Sequence, residues 1–307
     1  MSDGNAKPLV TLGRGYVRYG PGSLGKSPLA ARYLNPRLRE RPRLRVVPAR
    51  FGARFAVDTQ DLIQRYLYMF GTWEPHMTRW LQARLSPGDT FIDVGANIGY
   101  YTVLASGLVG EGGRVVAVEA SPDFHQRLLA QVRLNRRDNV RAVNGAVSDE
   151  RKTLTFVLAS SANMGANSIL PYDGPAESSF EVEAFPLGEL VDEAEISTAR
   201  VIKIDVEGAE GSVVRGMIPL FDKLRPDCEI TVEVTPDRMA QLGDSAEELM
   251  QTMRDHGFHA YRLVNEYTPE SYVTALRGKR AIPVRWRGPV VEESDLIFSR
   301  VDAESLP

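Results

Sequence analysis

Phe91-Ile-Asp-Val-Gly-Ala-Asn-Ile-Gly-Tyr-Tyr101 reads as a hydrophobic strand that ends near Asp93 and turns through Gly95 and Gly99 into a helix. Ligands of open α/β sheets bind at such strand ends, where glycine lets the backbone turn tightly and approach a ligand with no Cβ in the way. A dinucleotide fingerprint needs three glycines spaced G-x-G-x-x-G and a loop whose amides meet a pyrophosphate. This loop has two glycines and opens on a carboxylate, which repels phosphate. Asp93 instead suits a cationic ligand, and S-adenosylmethionine carries both an ammonium and a sulfonium.

Around this stretch, β-rich runs alternate with helical ones: Thr90–Val94, helix Ile98–Leu108, Arg114–Val118, helix Pro122–Leu134, Val140–Asn144. The alternation predicts right-handed βαβ units and a mostly parallel sheet with helices on both faces. Glu119 follows Asp93 by 26 residues, one βαβ step, which sets it at the tip of the neighbouring strand, where its two oxygens can accept both ribose hydroxyls. Taken singly, each acid reads equally well as a solvated strand end or a loop cap. Together with Gly95 and Gly99 they point to a cofactor site. Asn97 suits either the cofactor's polar groups or the turn itself, and the small residues Ala146 and Ser148 after Val140–Asn144 suit the edge of an adenine pocket. The sheet resumes with Val201–Ile204, Cys228–Val234, His259–Val264 and a last strand Asp295–Ser299. Leu154–Leu158 and Phe180–Ala184 flank a lid-like loop, Ser160–Ser179.

Upstream, Asp61–Phe70 and Pro75–Leu85 have helical spacing. Residues 1–54 carry Pro8, Pro21, Pro28, Pro36, Pro42 and Pro48, which predict a basic, irregular or short-stranded arm without long helices. The chain therefore divides into this arm and a catalytic domain over 55–307. Of 307 residues 43% are hydrophobic and 25% charged, the balance of a soluble globular protein. The single Cys228 has no partner for an internal bridge and reads as a buried reduced thiol. With no apolar run of signal-peptide or membrane-spanning length, a cytoplasmic setting without a membrane partner is expected. Net charge is −3, but residues 1–55 hold twelve Lys and Arg against two acids, so +10 faces −13 in the remainder. That acidic body argues against nucleic acid as a partner. The arm's charge suits packing on its own domain or contact with a phosphate.

The chain resembles the FkbM-type methyltransferases, a Rossmann-like class that uses S-adenosylmethionine. The resemblance runs from about Phe70 to Val264 and rests on Gly71-Thr-Trp-Glu-Pro75, Phe91-Ile-Asp-Val-Gly-Ala-Asn-Ile-Gly99, Val118-Glu-Ala-Ser-Pro122, Asn144-Gly-Ala-Val-Ser148, Asn163-Met-Gly-Ala-Asn-Ser168 and Ile202-Lys-Ile-Asp-Val-Glu-Gly-Ala-Glu210. It implies a seven-stranded sheet with its last strand antiparallel, and most often O-methylation of small molecules or sugars. On this reading Glu74, Asp93, Gly95, Ala96, Asn97, Gly99, Glu119, Ala120, Ser121, Ala146, Ser148 and Asp205 bind the cofactor.

Methyl transfer to an alcohol needs an aligned oxygen lone pair and a group to take the hydroxyl proton. Asp205 and Glu207 follow a buried strand, and their closeness to Glu210 should raise one another's pKa, as suits a base, or hold a divalent cation, although no metal site is predicted. Glu207 also reads as a helix cap, and Glu210 as a solvated residue. Lys203 alternates with Asp205 and is expected to pair with it. His76 is a third base candidate, or simply a histidine at a helix start, and Glu74 beside it suits the cofactor's ammonium. His125 and His256 read as structural, and His259 is open. Met164, Ile169 and Trp286 are expected to wall the acceptor. Arg277, Lys279, Arg280, Arg285 and Arg287 form either a clamp for an acceptor carboxylate or phosphate, or a solvated face. The expected activity is O-methylation of a small-molecule hydroxyl on a sugar or natural-product intermediate. The rivals are N-methylation, a nucleic-acid target, and a cofactor-binding partner protein without turnover. Oligomeric state is not readable.

Overall fold

A computed structural model describes residues 6–158 and 178–306. The described chain forms two compact units. Of the described residues, one comprises 6–79 together with 265–280, and the other comprises 80–158, 178–264 and 281–306.

In the first unit the arm is largely helical rather than irregular. Helix Ala6–Tyr19 is followed by an almost unbroken helical stretch, Lys26–Glu40, whose middle, Leu29–Leu34, is a π turn. The prolines fall where a helix tolerates them. Pro8 lies in a first turn, where its missing N–H costs nothing, and Pro36 opens Asn35–Glu40. The wide turn before Pro36, with Asn35 N–H reaching Ala30 O, makes room for the ring. Strands β1 (Leu44–Pro48) and β2 (Arg54–Asp58) then form an antiparallel hairpin. Helix Leu62–Phe70 starts at Asp61, whose side chain accepts from Gln64 N–H, and ends at Gly71 in the left-handed region. Tyr66, Phe70 and Tyr272 of helix Pro269–Arg277 pack edge to face or tilted, with Tyr66 and Tyr272 centroids 4.7 Å apart.

The second unit carries the large sheet. Its strands are β3 (Thr90–Val94), β4 (Arg114–Glu119), β5 (Val140–Asn144), β9 (Ala199–Ile204), β10 (Glu229–Val234), β11 (His259–Leu263), β12 (Val284–Arg285) and β13 (Ser294–Ser299), in the order β12-β11-β13-β10-β9-β3-β4-β5. Strands β5, β4, β3, β9 and β10 are parallel, and β13 is antiparallel to both its neighbours. This is the expected α/β class, with the seven expected strands and a two-residue eighth at the edge. A smaller sheet joins β6 (Ala146–Val147), β8 (Ser178–Phe185) and β7 (Lys152–Leu158).

Strand β3 is buried at every residue and β4 at all but its first, which explains their near-continuous apolar sequence. On one face Ile92, Val94, Ile202, Ile204, Ile230 and Val232 join a core with Val213, Val214 and Met217 of helix Glu210–Met217. Asp93 and Lys203 are register partners on the opposite face. Cys228 is fully buried, and burial pushes its thiol up to about 12, so it is an inert core residue.

Candidate functional site

The site residues of the second unit converge because β3, β4 and β9 end level. Val94 pairs with Val118 and with Ile204, and Asp205 N–H donates to Val94 O at 3.0 Å. Beyond Val94 the chain turns through three left-handed residues, Gly95 (φ 83°), Asn97 (φ 52°) and Gly99 (φ 85°), into helix Tyr100–Val109. A Cβ on Gly95 would lie 1.7 Å from the carbonyl oxygen of Asp205, so the ends of β3 and β9 meet backbone to backbone. At Gly99 a Cβ would strike Leu128 of helix Pro122–Leu134 at 2.4 Å.

Glu119 stands at the tip of β4. Its Oε2 accepts from Asn97 N–H at 2.7 Å and its Oε1 from Ser121 N–H at 2.8 Å. Burial pushes its carboxyl up to about 7, against the pull of these two amides. One lone pair on each oxygen is still available to a ligand hydroxyl. Ala120 and Ser121 follow, and Ser121 caps helix Pro122–Leu134. Gly145 N–H donates to Glu119 O, which brings Ala146 beside this strand end. Ser148 is buried and its carbonyl would lie 2.2 Å from a Cβ on Gly216, so it packs under helix Glu210–Met217.

Asp93 is enclosed within β3. It is only 1% exposed, its Oδ2 accepts from Thr102 Oγ1 at 2.6 Å, and burial raises its pKa although Lys203 and Thr102 oppose the rise. Its Oδ1 has no partner among the described residues. Negative charge nearer solvent belongs to Asp205. Burial alone would raise that carboxyl, but Lys203 with the Glu233 and Arg238 side chains holds it below the usual range. The expectation that Asp205, Glu207 and Glu210 raise one another's pKa is therefore corrected at Asp205. Lys203 Nζ bonds Asp205 Oδ2 at 2.7 Å and lies 4.9 Å from the Tyr101 ring centroid, as the predicted ion pair. Glu207, in the left-handed region (φ 59°), is ion-paired with Arg238. Glu210 does not face water: it is fully buried, accepts from Gly208 N–H at 2.8 Å and Thr235 Oγ1 at 3.2 Å, and burial pushes it up to about 7. Nothing in a short Val-Glu-Gly-Ala-Glu string reveals that burial, which depends on packing against Thr235. Among the described residues no group of three or more His, Cys, Asp or Glu is placed to hold a metal ion.

Removing the Asp205 carboxylate should leave the Lys203 ammonium, itself 5% exposed, without its hydrogen-bonded partner. Asp205→Ala is expected to lower unfolding free energy by about 2 kcal/mol in urea denaturation, and Lys203→Met in the same chain to recover most of it. Equal stability of the single variant and wild type would remove the pair as a stabilising element.

Glu74 and His76 belong to the first unit. Glu74 (φ 37°) is buried, its Oε1 accepts from Tyr267 Oη at 3.1 Å, its N–H donates to Tyr272 Oη, and Trp73 stacks on Tyr267 at 5.2 Å. His76 Nδ1 is buried with no partner among the described residues, and burial, aided by Arg79, lowers the ring's pKa, so the imidazole is neutral at pH 7. His256 Nδ1 meets Thr252 O, and His259 Nδ1 meets Arg285, both packing roles. Arg285 pairs with Asp302 and Arg287 with Glu304, so these two arginines already hold carboxylates. Arg262 lies over Trp286. Met164 and Ile169 fall outside the described residues.

The family described as Methyltransferase FkbM domain matches residues 93–260. A protein from Haloferax volcanii named hexuronic acid methyltransferase AglP is 26% identical over 220 residues, 70% of this chain and 87% of that one. Among solved structures, an S-adenosylmethionine-dependent O-methyltransferase from Thermotoga maritima is 14% identical, covering 85% of this chain and 79% of the other with a TM-score of 0.40. Fibrillarin from Aeropyrum pernix, solved with S-adenosylmethionine, is 13% identical, covering 83% and 81% with a TM-score of 0.41. No helix of the described residues is long and apolar enough to cross a membrane.

Proposed function

Because the chain belongs to the FkbM methyltransferase family, we propose that it transfers a methyl group from S-adenosylmethionine to a hydroxyl of a sugar or related small molecule, with uronic sugars as the favoured class. The observation that carries the donor half is Glu119, a carboxylate held by two backbone amides at a strand tip, with Gly95 letting the loop beside it close on β9. The ionised Asp205 supplies negative field that a sulfonium donor favours. Asn97, Gly99 and the Ala120–Ser121 turn complete the proposed cradle, and Ala146 and Ser148 border the adenine. The acceptor half is supported by the relative named for hexuronic acids.

When bound, S-adenosylmethionine supplies a methyl carbon already activated by sulfur. The chain has to orient the acceptor oxygen and take its proton. Asp205, bonded to Lys203, and Glu207, ion-paired with Arg238, are the groups of the second unit assigned to orient the acceptor and take that proton.

The test uses methyl-labelled S-adenosylmethionine with glucuronic acid, galacturonic acid, glucose and an amino sugar. Label on a uronic sugar that survives mild base, as an ether does and an ester does not, is the expected result. Label only on the amino sugar, or label released by base, would overturn the hydroxyl reading. Asp205→Asn is expected to lower kcat by about 10²-fold, and a fully active variant would remove Asp205 from the reaction.

A further inference from the structure

The first unit holds a groove of about 1340 Å³ that the methyl-transfer reading does not use. Helix Ala6–Tyr19, the segment Pro36–Pro48 and Tyr68 line it, and it presents Arg14, Arg37, Arg41, Arg43 and Arg45 against a single acid, Glu40. In the second unit several arginines are matched to carboxylates: Arg141 to Glu195, Arg200 to Glu229, Arg215 to Asp244, Arg225 to Asp89. In the groove Arg14, Arg37, Arg43 and Arg45 are held otherwise. Arg14 donates to Tyr68 O at 2.6 Å and lies over its ring, Arg43 donates to Tyr68 Oη at 3.2 Å, Arg45 to Leu44 O at 2.8 Å, and Arg37 lies over Tyr33. None of these four has an ion pair among the described residues. Carbonyls and rings fix the guanidinium planes while leaving the positive charge uncompensated.

We propose that this groove binds an acidic oligosaccharide, several uronate units long. Guanidinium groups take carboxylates in paired hydrogen bonds, and the Tyr19 ring, 68% exposed at the groove, offers a face for a pyranose ring. Its volume exceeds the usual range of roughly 300–1,000 Å³ for a small-ligand pocket. A concave surface of this size fits a chain of sugars better than a flat bilayer. The net −13 of residues 56–307 repels a long polyanion such as nucleic acid more than a short glycan. The choice of a uronate rather than another anion rests on the acceptor class proposed above. The groove's charge does not.

The full chain is titrated calorimetrically at 50 mM salt with a hexamer of galacturonic acid, with neutral maltohexaose, with a ten-residue oligothymidylate, and with vesicles containing phosphatidylglycerol. The uronate hexamer is expected to bind saturably and maltohexaose not. The affinity should fall about tenfold by 200 mM salt. The double variant Arg37→Ala/Arg45→Ala, both exposed side chains, should weaken it at least tenfold while S-adenosylmethionine affinity stays unchanged. Equal binding of the two hexamers, indifference to the double variant, or tighter binding of the oligonucleotide or the vesicles overturns the groove assignment. If uronate binds but no uronic sugar is methylated, the acceptor reading fails and the groove stands. Methylation without a binding isotherm sinks the groove alone.

Discussion

Gly95→Ala should cripple both stability and donor binding, as the most damaging single-methyl change in the second unit. A Cβ there would sit 1.7 Å from the Asp205 carbonyl oxygen and 2.8 Å from its carbon. Neither atom can retreat easily, because Asp205 N–H is bonded to Val94 O in the continuing ladder between β3 and β9. The left-handed conformation adds about 1 kcal/mol for any L side chain, and the forced separation of two strand ends adds about 1–3 kcal/mol. A loss on the order of 3 kcal/mol is expected, a fall in Tm of roughly 10 °C for a chain of this size, with S-adenosylmethionine binding abolished in calorimetry. Gly257 provides the control. It is also left-handed (φ 79°), but nothing lies within 4 Å of its Cβ position, so Gly257→Ala should cost only about 1 kcal/mol. Equal losses at the two positions would show that conformation alone, and not the meeting of the two strand ends, makes Gly95 necessary.

That contact also shows how far the sequence could be read. Two glycines after a hydrophobic strand signalled a tight turn, and the apolar runs at β3, β4 and β9 signalled a buried sheet, because burial on both faces leaves little room for polar residues. The last strand, β13, was legible for the same reason, but its antiparallel direction came only from the family resemblance. The arm was not. The prolines predict an arm without long helices, whereas Pro8 and Pro36 stand in first turns, and position within a helix cannot be seen before the helix is known. At the site, Glu119 was found from spacing, since one βαβ step fixes where the next strand ends. The charge states were not: Asp205 is held ionised by Lys203 two residues earlier, and Glu210 is raised by burial, against the pull of the Thr235 hydroxyl 25 residues later. Proximity along the chain suggested mutual repulsion among acids. The structure interposes cations and packing, which only tertiary contacts supply.

Glu119 should give the wild-type protein a pH-dependent hold on its donor that Glu119→Gln loses. Burial lifts the carboxyl to about 7, so near neutral pH the free protein is a mixture of the two forms. Two ribose hydroxyls are best accepted by the ionised form, since a protonated carboxyl gives up one acceptor position. Donor affinity should therefore rise with pH through about 7, and at pH 6 be roughly tenfold weaker than at pH 8. Stability without donor runs the other way. A carboxyl whose folded pKa lies above its unfolded value near 4.5 contributes stability that is fully present below that unfolded value and is lost as pH rises through about 7. Glu210 has the same sign, while His76, lowered by burial, opposes both by losing stability as pH falls. The difference between wild type and Glu119→Gln isolates one group from the others. In thermal unfolding from pH 5 to 8 without donor, the wild type should lose more stability than the variant, by at most about 3 kcal/mol. Saturating S-adenosylmethionine should close that gap for the wild type, because the ionised carboxylate then has its hydroxyl partners. At pH 8, Glu119→Gln should bind the donor about 100-fold more weakly, having lost two hydrogen bonds to a charged group. A wild-type affinity that stays flat from pH 6 to 8, or a variant that keeps the wild-type slope, would take the ribose away from Glu119.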